Sequence, residues 1–477
     1  MNKSLKPKLP KKEGSRLISE SIRVTVSKPR APSRQLTSPF VLIYGFALLV
    51  GVGTLLLMLP ISNSTTTIPP FITALFTAIS AVTVTGLTVV DTSSYWSFFG
   101  QTVILILIFL GGLGFITLAT FFLVIVGRKL SLGGRLTLSQ TVGQSSIGQV
   151  VHLTKIIVVA SILIQLLGTI SLYFPLSKQF EMPESLWQAS FHSISAFNNA
   201  GFSILPNSDS LSSFSGNVWL LGTMAVLIIV GGLSFPVLTD LLKRRKFRQF
   251  SLDTQLVLVF SIVLWILGAL GFFVLEFNNS QTIGSFSFLH QLIDSVFQSV
   301  SGRTAGFTTV NFSDTETGTN FFYIALMFIG GASASTAAGI KVNTVALIMV
   351  AVIAAVKGRS YPVAFGKEVS APQVYRALAI AVLAGTSIFM IGFAITLISQ
   401  HENPEIPFLD LIFETVSAFS ANGTTTGISA KVTNMTKLLL GATMFLGRLG
   451  PLTFALALAQ REQKPNYRFA VDEVRIA

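Results

Sequence analysis

Four stretches of the chain place hydroxyl or amide side chains and a glycine at matched distances behind the same phenylalanine-led run. Phe76-Thr-Ala-Ile-Ser-Ala precedes Thr83-Val84-Thr85-Gly86, and Phe191-His-Ser-Ile-Ser-Ala precedes Asn198-Asn199-Ala200-Gly201. Phe297-Gln-Ser-Val-Ser-Gly precedes Arg303-Thr304-Ala305-Gly306, and Phe413-Glu-Thr-Val-Ser-Ala leads, after Phe419-Ser, to Ala421-Asn422-Gly423. The spacing from phenylalanine to glycine is ten residues in three copies and nine in the third. None of these stretches pairs a nucleophile with a base. Their chemistry is that of oxygen ligands. Glycine adopts backbone angles that a Cβ forbids, so its neighbours can turn carbonyl oxygens to one side. Rings of such oxygens replace the hydration shell of a potassium-sized cation. The hydroxyls of Thr83, Thr85, Thr304, Thr424 and Thr425 and the amides of Asn198 and Asn199 could supply or brace further oxygens. One glycine after a helix is ordinarily a cap; four at matched offsets favour an ion-binding ring.

The surroundings of these loops are those of a membrane. Of 477 residues 51% are hydrophobic and only 11% charged, less than half the charge of an ordinary soluble domain. Long apolar runs flank every copy, each sufficient for roughly 30 Å of hydrocarbon. The run that carries each phenylalanine is too short to cross, so it is expected to enter and return as a half-helix. The expected unit is therefore span, pore helix, extended loop, span. Four units occupy 39–127, 155–242, 254–357 and 374–460 between a basic segment 1–38 and a tail 461–477. The expected fold is an all-α membrane protein with four such repeats around a pseudo-fourfold pore. Extended backbone at membrane depth is tolerated only inside protein or against water, and each pore-helix C-terminus directs its partial negative charge at the loop.

The charge distribution fits this arrangement. Net charge is +13, and 27 of 33 Lys/Arg lie in five segments beside the spans. That is the bias of cytoplasmic loops, so both termini are expected on the cytoplasmic side of the plasma membrane, with anionic lipid rather than nucleic acid as the contact. There is no cysteine and no phosphate-binding Gly-x-x-x-x-Gly-Lys sequence, which leaves no thiolate metal site and no ATP hydrolysis. The four histidines are scattered, and no enzyme constellation emerges.

These residues resemble the Trk/Ktr/HKT superfamily of cation transporters. The resemblance covers roughly 39–460 and rests on the loops quoted above, on Gly330-Gly-Ala-Ser-Ala-Ser-Thr-Ala-Ala-Gly-Ile-Lys341 and on Gly447-Arg-Leu-Gly-Pro-Leu-Thr453. No extra helix pair precedes the first repeat, so the chain is similar to the Ktr membrane subunit. The resemblance implies a channel-like potassium uptake subunit that forms a homodimer with one pore per protomer. It also implies a cytoplasmic nucleotide-binding RCK partner that gates it; K+ is the transported ion, the chain itself holds no cofactor, and sodium stimulation stays open. Glycine at all four positions resembles the potassium-selective pattern. Asn422 and Thr424 depart from it, since apolar neighbours are expected beside the fourth glycine. A less selective Na+/K+ transporter and an alternating-access carrier are the alternatives.

The second span of the third repeat is expected to break. Gly331, Ala332, Ser333, Ala334, Ser335, Thr336, Ala337, Ala338 and Gly339 are all small, the glycines and hydroxyl residues among them lower helix propensity, and the resemblance puts a gating loop here; a close helix interface is the other reading. Lys341 either faces this gate or snorkels to the membrane edge. Arg448 lies deeper, where it could oppose cations and hold gate carbonyls. Arg303 would repel cations if it faced the pore, so it is expected behind the loop, paired with an acid such as Asp294 or Glu414. The glycine pairs at 111–112 and 231–232 are expected to serve helix packing.

Overall fold

The computed structural model describes residues 40–113, 147–206, 210–402 and 404–450. The expected basic segment 1–38, the end of the first repeat, the last residues of the fourth and the tail 461–477 lie outside the described residues. Helices dominate because an apolar segment away from water has to close its own backbone hydrogen bonds. Among the described residues the one sheet is a two-residue hairpin, Val363–Ala364 with Lys367–Glu368.

The element order recurs. α1 (Phe40–Leu57), α2 (Phe71–Thr83) and α3 (Phe98–Leu113) come first, then α4 (Ile147–Leu176), α5 (Met182–Phe197), α6 (Val218–Gly232) and α7 (Phe235–Lys243). α8 (Leu252–Glu276), α9 (Phe288–Ser301), α10 (Thr317–Phe328) and α11 (Val342–Val356) follow, and α12 (Ala371–Glu402), α13 (Phe408–Ser420) and α14 (Asn434–Leu449) complete the described chain. Among the described residues three helices, Thr154–Leu176, Leu252–Glu276 and Ala371–Glu402, are each long and apolar enough to cross a membrane. Only 17–33% of their most apolar windows is buried inside the protein, so most of that surface is left for lipid.

α2, α5, α9 and α13 are the inverse. They have 13 to 16 residues, too few to span, and their C-terminal halves are buried. Proline starts α2 and α13, where Pro70 and Pro407 are the capping residues, because proline supplies the right φ and has no N–H to satisfy. In the first, second and fourth repeats the short helix packs between spans of its own repeat, whereas α9 of the third packs on its own α8 and on α6 of the second. In the first, Ala74 and Ala78 of α2 meet Phe46 and Val50 of α1 and Ile104 and Leu107 of α3.

The second spans are less continuous than expected. The third is interrupted from Ile329 to Lys341, between α10 and α11. The second is also broken: α6 and α7 meet at 100°, against the expectation of one straight span. Leu233 and Ser234 are extended there, and Pro236 sits in the first turn of α7. A proline that starts a helix cannot donate backward, and the small Gly231-Gly232 pair leaves the preceding turn weak.

Candidate functional site

Each short helix ends in a strained turn. Val84, Asn199, Thr304 and Ala421 have left-handed φ of 59°, 57°, 76° and 48°. Two residues later Gly86, Gly201, Gly306 and Gly423 take φ of 88°, 69°, 75° and 92°. Left-handed residues at alternate positions cancel the two-sided pattern of an extended strand and let successive carbonyls face one way. For the non-glycine residues this conformation costs about 1–2 kcal/mol each, so something has to hold it.

The serine shared by all four helix runs does so. Ser80 Oγ accepts the Gly86 N–H at 3.0 Å, and Ser417 Oγ accepts that of Gly423 at 3.2 Å while donating to the Thr424 carbonyl at 2.6 Å. Ser195 and Ser301 donate to the carbonyls of Phe202 and Phe307 at 2.8 and 2.6 Å. All four serines are fully buried. Sequence reasoning quoted these serines without a role; their fixed offset of four residues from the phenylalanine was the available signal.

The loops close into a ring. A Cβ built on Gly86 would run into the carbonyl oxygen of Ala200, and one on Gly201 would lie 2.8 Å from that of Ala305. A Cβ on Gly306 would strike the Asn422 carbonyl, and one on Gly423 the Thr85 carbonyl. The residue before each glycine thus presents its carbonyl to the glycine of the adjoining loop, in the order first, second, third, fourth and back to the first. No side chain fits between them.

Outside the ring a cavity of about 460 Å³ opens, lined by all four glycines and by Thr88, Ser203, Thr308 and Thr425. In the second, third and fourth repeats the side chain that follows the repeated phenylalanine braces the segment beyond the glycine; Thr77 Oγ1, its counterpart in the first, has no hydrogen-bond partner among the described residues. His192 Nε2 is 3.0 Å from Ser203 Oγ, Gln298 donates to Thr309 at 3.3 Å, and Glu414 accepts from Thr425 and from Ser429.

The side chains of the expected ion-binding set mostly turn away from the ring. Thr83 Oγ1 donates to the Ile79 carbonyl at 2.7 Å and lies 2.7 Å from Thr85 Oγ1; Asn198 donates to the Ile194 carbonyl at 2.8 Å. Asn422 reaches behind the third loop, where its Oδ1 accepts the Thr304 N–H at 2.8 Å and its Nδ2 donates to Thr424 Oγ1 at 2.7 Å. Arg303 does lie behind its loop, but the expected acid partner is wrong. Its guanidinium donates to the Gly330 carbonyl at 2.8 Å. Asp294 instead holds Ser215, the Gly216 N–H at 3.1 Å and His290, and Glu414 is committed to its own loop.

Beneath the ring, on the side of the helix ends, lies the 330–341 segment. It is tied to the bend of the second repeat: the Ala332 N–H donates to Gly232 at 3.0 Å and the Thr336 N–H to Gly231 at 3.2 Å. Ser333 N–H donates to Asn343 Oδ1 at 2.9 Å. Arg448 crosses to it, donating to the Thr336 carbonyl and, at 2.5 Å, to that of Gly111. Lys341 folds back on the Ala337 carbonyl. The span glycines allow contact: a Cβ on Gly111, Gly231 or Gly447 would collide with the carbonyl of Val82, Phe197 or Phe419, each at the end of that repeat's own short helix.

Comparison with known proteins agrees with this architecture. A family model described as "Cation transport protein" (TrkH) matches residues 17–468. The chain is 42% identical over 438 residues to the Ktr system potassium uptake protein B of Bacillus subtilis, covering 92% of this chain and 96% of that one. It is 33% identical over 458 residues to the potassium/sodium uptake protein NtpJ of Enterococcus hirae, covering 95% and 100%. Among solved structures, the potassium transporter TrkH from Vibrio parahaemolyticus superposes with a TM-score of 0.68 at 18% identity, over 90% of this chain and 87% of that one.

Proposed function

The chain belongs to the TrkH family of cation transport proteins, and on that premise we propose that it is a channel-like potassium uptake subunit whose ions pass through the four-glycine ring. The family is one of membrane transporters, so the chain is not an enzyme. The observation that carries the proposal is the closed succession of carbonyls and glycines from Thr85 through Ala200, Ala305 and Asn422. Carbonyls held at fixed positions by buried serines replace hydration water for an ion of one size, and K+ is the only metal required. Four helix C-termini add negative potential at the same place. The cavity beyond the glycines serves as the outer vestibule.

The 330–341 segment and Arg448 act as the gate below the ring. Arg448 places a positive charge by the ion path and fastens Thr336, so the described arrangement corresponds to a closed pore. The basic stretches at 243–248 and 357–376 support a cytoplasmic side for these loops, and with it our reading of both termini in the cytoplasm and of the plasma membrane as the location. Ktr membrane subunits work with separate regulatory subunits; here we propose a homodimer over an RCK-type ring that binds the nucleotide. A less selective Na+/K+ pore is the second reading, supported by the name of the Enterococcus relative. The backward turn of Asn422 favours the first, because it leaves backbone carbonyls as the ligands in all four loops. The test is growth rescue of a bacterium lacking potassium uptake at low K+, with and without an RCK partner, alongside Na+ competition. Failure to rescue with the protein present in the membrane refutes potassium uptake.

A further inference from the structure

Arg303 has no place in the mechanism so far, yet its position is costly. The residue is 4% exposed, and the ion pairs among the described residues, Arg244–Asp240 and His290–Asp294, do not include it. Burying a charge without a counter-charge is strongly unfavourable unless dipoles replace the water. Here backbone carbonyls and a ring do so. Nη2 donates to Gly330 at 2.8 Å, Nε and Nη1 reach Ile329 and Ser261 at 3.5 Å, and the guanidinium carbon lies 5.6 Å from the Trp265 ring centroid. A side chain that merely filled space would need none of these; a methionine has similar length and no charge to bury.

What the guanidinium joins is specific. Ile329 and Gly330 form the neck of the broken span: α10 stops at Phe328, and the Gly330 N–H donates to the Ile340 carbonyl at 2.8 Å across the mouth of the segment. The other end of the side chain is the third loop itself. Its next residue, Thr304, is left-handed and has its N–H fixed on Asn422. Movement of the neck therefore pulls on the peptide that sets the Ala305 carbonyl. A void of about 20 Å³ borders Arg303, Trp265, Ser261 and Asn199 and also both breaks, at Gly232 and Gly331. Packing around the guanidinium is thus incomplete on the side that faces both breaks.

We propose that Arg303 is a positioning residue that couples the neck of the 330–341 segment to the carbonyl geometry of the third loop, so that opening and ion discrimination change together. The coupling rests on the pore reading above. It makes a paired claim that a structural filler does not. K+ and Na+ fluxes are measured in proteoliposomes for wild type, Arg303→Met, Arg303→Lys and Trp265→Leu, each also combined with deletion of residues 332–338. Arg303→Met is expected to raise K+ flux and lower the K+/Na+ ratio, each by about tenfold. Arg303→Lys keeps the charge but not the planar fork, and should recover part of both. With 332–338 deleted, Arg303→Met should change flux by about twofold or less, since the neck no longer closes anything, yet still lower the ratio. Trp265→Leu unseats the guanidinium while leaving every residue of the loop in place and should give the same paired shift at smaller size, even if Arg303→Met fails to insert. An unmoved ratio in Trp265→Leu and Arg303→Lys, or full additivity of Arg303→Met with the deletion, overturns the coupling while the pore stands. A wild-type protein without K+ flux overturns the pore reading and the coupling with it.

Discussion

Replacing the ring glycines with alanine separates a selective carbonyl ring from four helix caps. Two costs apply at each site. An L-residue at left-handed φ loses about 1–2 kcal/mol, and the new methyl meets a backbone carbonyl that cannot rotate away without leaving the ring. If the loop relaxes to avoid either, one set of ligands is lost, so the backbone cost alone weakens apparent K+ affinity by about five- to thirtyfold at 1.4 kcal/mol per decade. The structure also ranks the sites. At Gly201 the Cβ lies 2.8 Å from the Ala305 oxygen and 3.2 Å from Gly306 Cα, the loosest fit of the four. Gly201→Ala should be the mildest, and Gly86→Ala, Gly306→Ala and Gly423→Ala more severe. Gly358→Ala is the control: its φ is +65°, but nothing lies within 4 Å of its Cβ, so it carries the backbone cost without the collision. The assay is half-saturation of K+ or Rb+ uptake in cells without other uptake systems, at matched membrane levels. Unchanged half-saturation in Gly306→Ala and Gly423→Ala, or an equal shift in Gly358→Ala, refutes the ring.

Other changes probe its supports. Deleting 332–338 should raise K+ flux and reduce dependence on a regulatory subunit; a correctly inserted deletion that conducts less than wild type would end the gate proposal. Arg448→Ala frees Thr336 and Gly111 from charge-assisted bonds and removes a cation from the path, so maximal uptake should rise by about tenfold with half-saturation unchanged. A fall in uptake at normal membrane levels would make Arg448 a structural tie. Ser301→Ala loses the 2.6 Å bond to the Phe307 carbonyl, worth about 1 kcal/mol, and should lower K+/Na+ discrimination about fivefold in competition uptake; an unaltered ratio would mean the loop holds its shape without the serine.

Much of this was legible from spacing alone. The phenylalanine-to-glycine interval located the four loops, and apolar run lengths separated the half-helices from the spans. The small-residue run at 330–339 signalled its own break, because its three glycines and three hydroxyl residues weaken a helix that its four alanines alone would not. What stayed hidden depends on partners far along the chain. Arg303 was expected to find a carboxylate, but its acceptors are carbonyls at 329, 330 and 261, which every sequence contains and no sequence marks. The bend after Gly232 was missed because Leu-Ser-Phe-Pro is brief and apolar enough to read as continuous.

The fourth loop shows how a local departure can preserve a shared geometry. The residue after each of the first three glycines is a large apolar anchor set into another repeat: Leu87 among Ile395, Leu411 and Leu440, Phe202 among Phe46 and Ile104, and Phe307 among Leu172 and Met224. Each loop is therefore fixed by the repeat before it, the first by the fourth. Thr424 cannot act this way, being small and polar. The third repeat answers with Tyr323, whose hydroxyl donates to the Gln298 carbonyl at 3.0 Å and also interacts with Thr424. Asn422 completes the substitution by bonding both Thr424 and the Thr304 N–H. A hydrogen-bonded network thus replaces an apolar plug at the same joint, and buried polar groups tolerate this only when each finds a partner. The two residues that looked like a loosened fourth ligand set are instead its anchor, and the carbonyl of Asn422 faces Gly306 as its three counterparts face theirs.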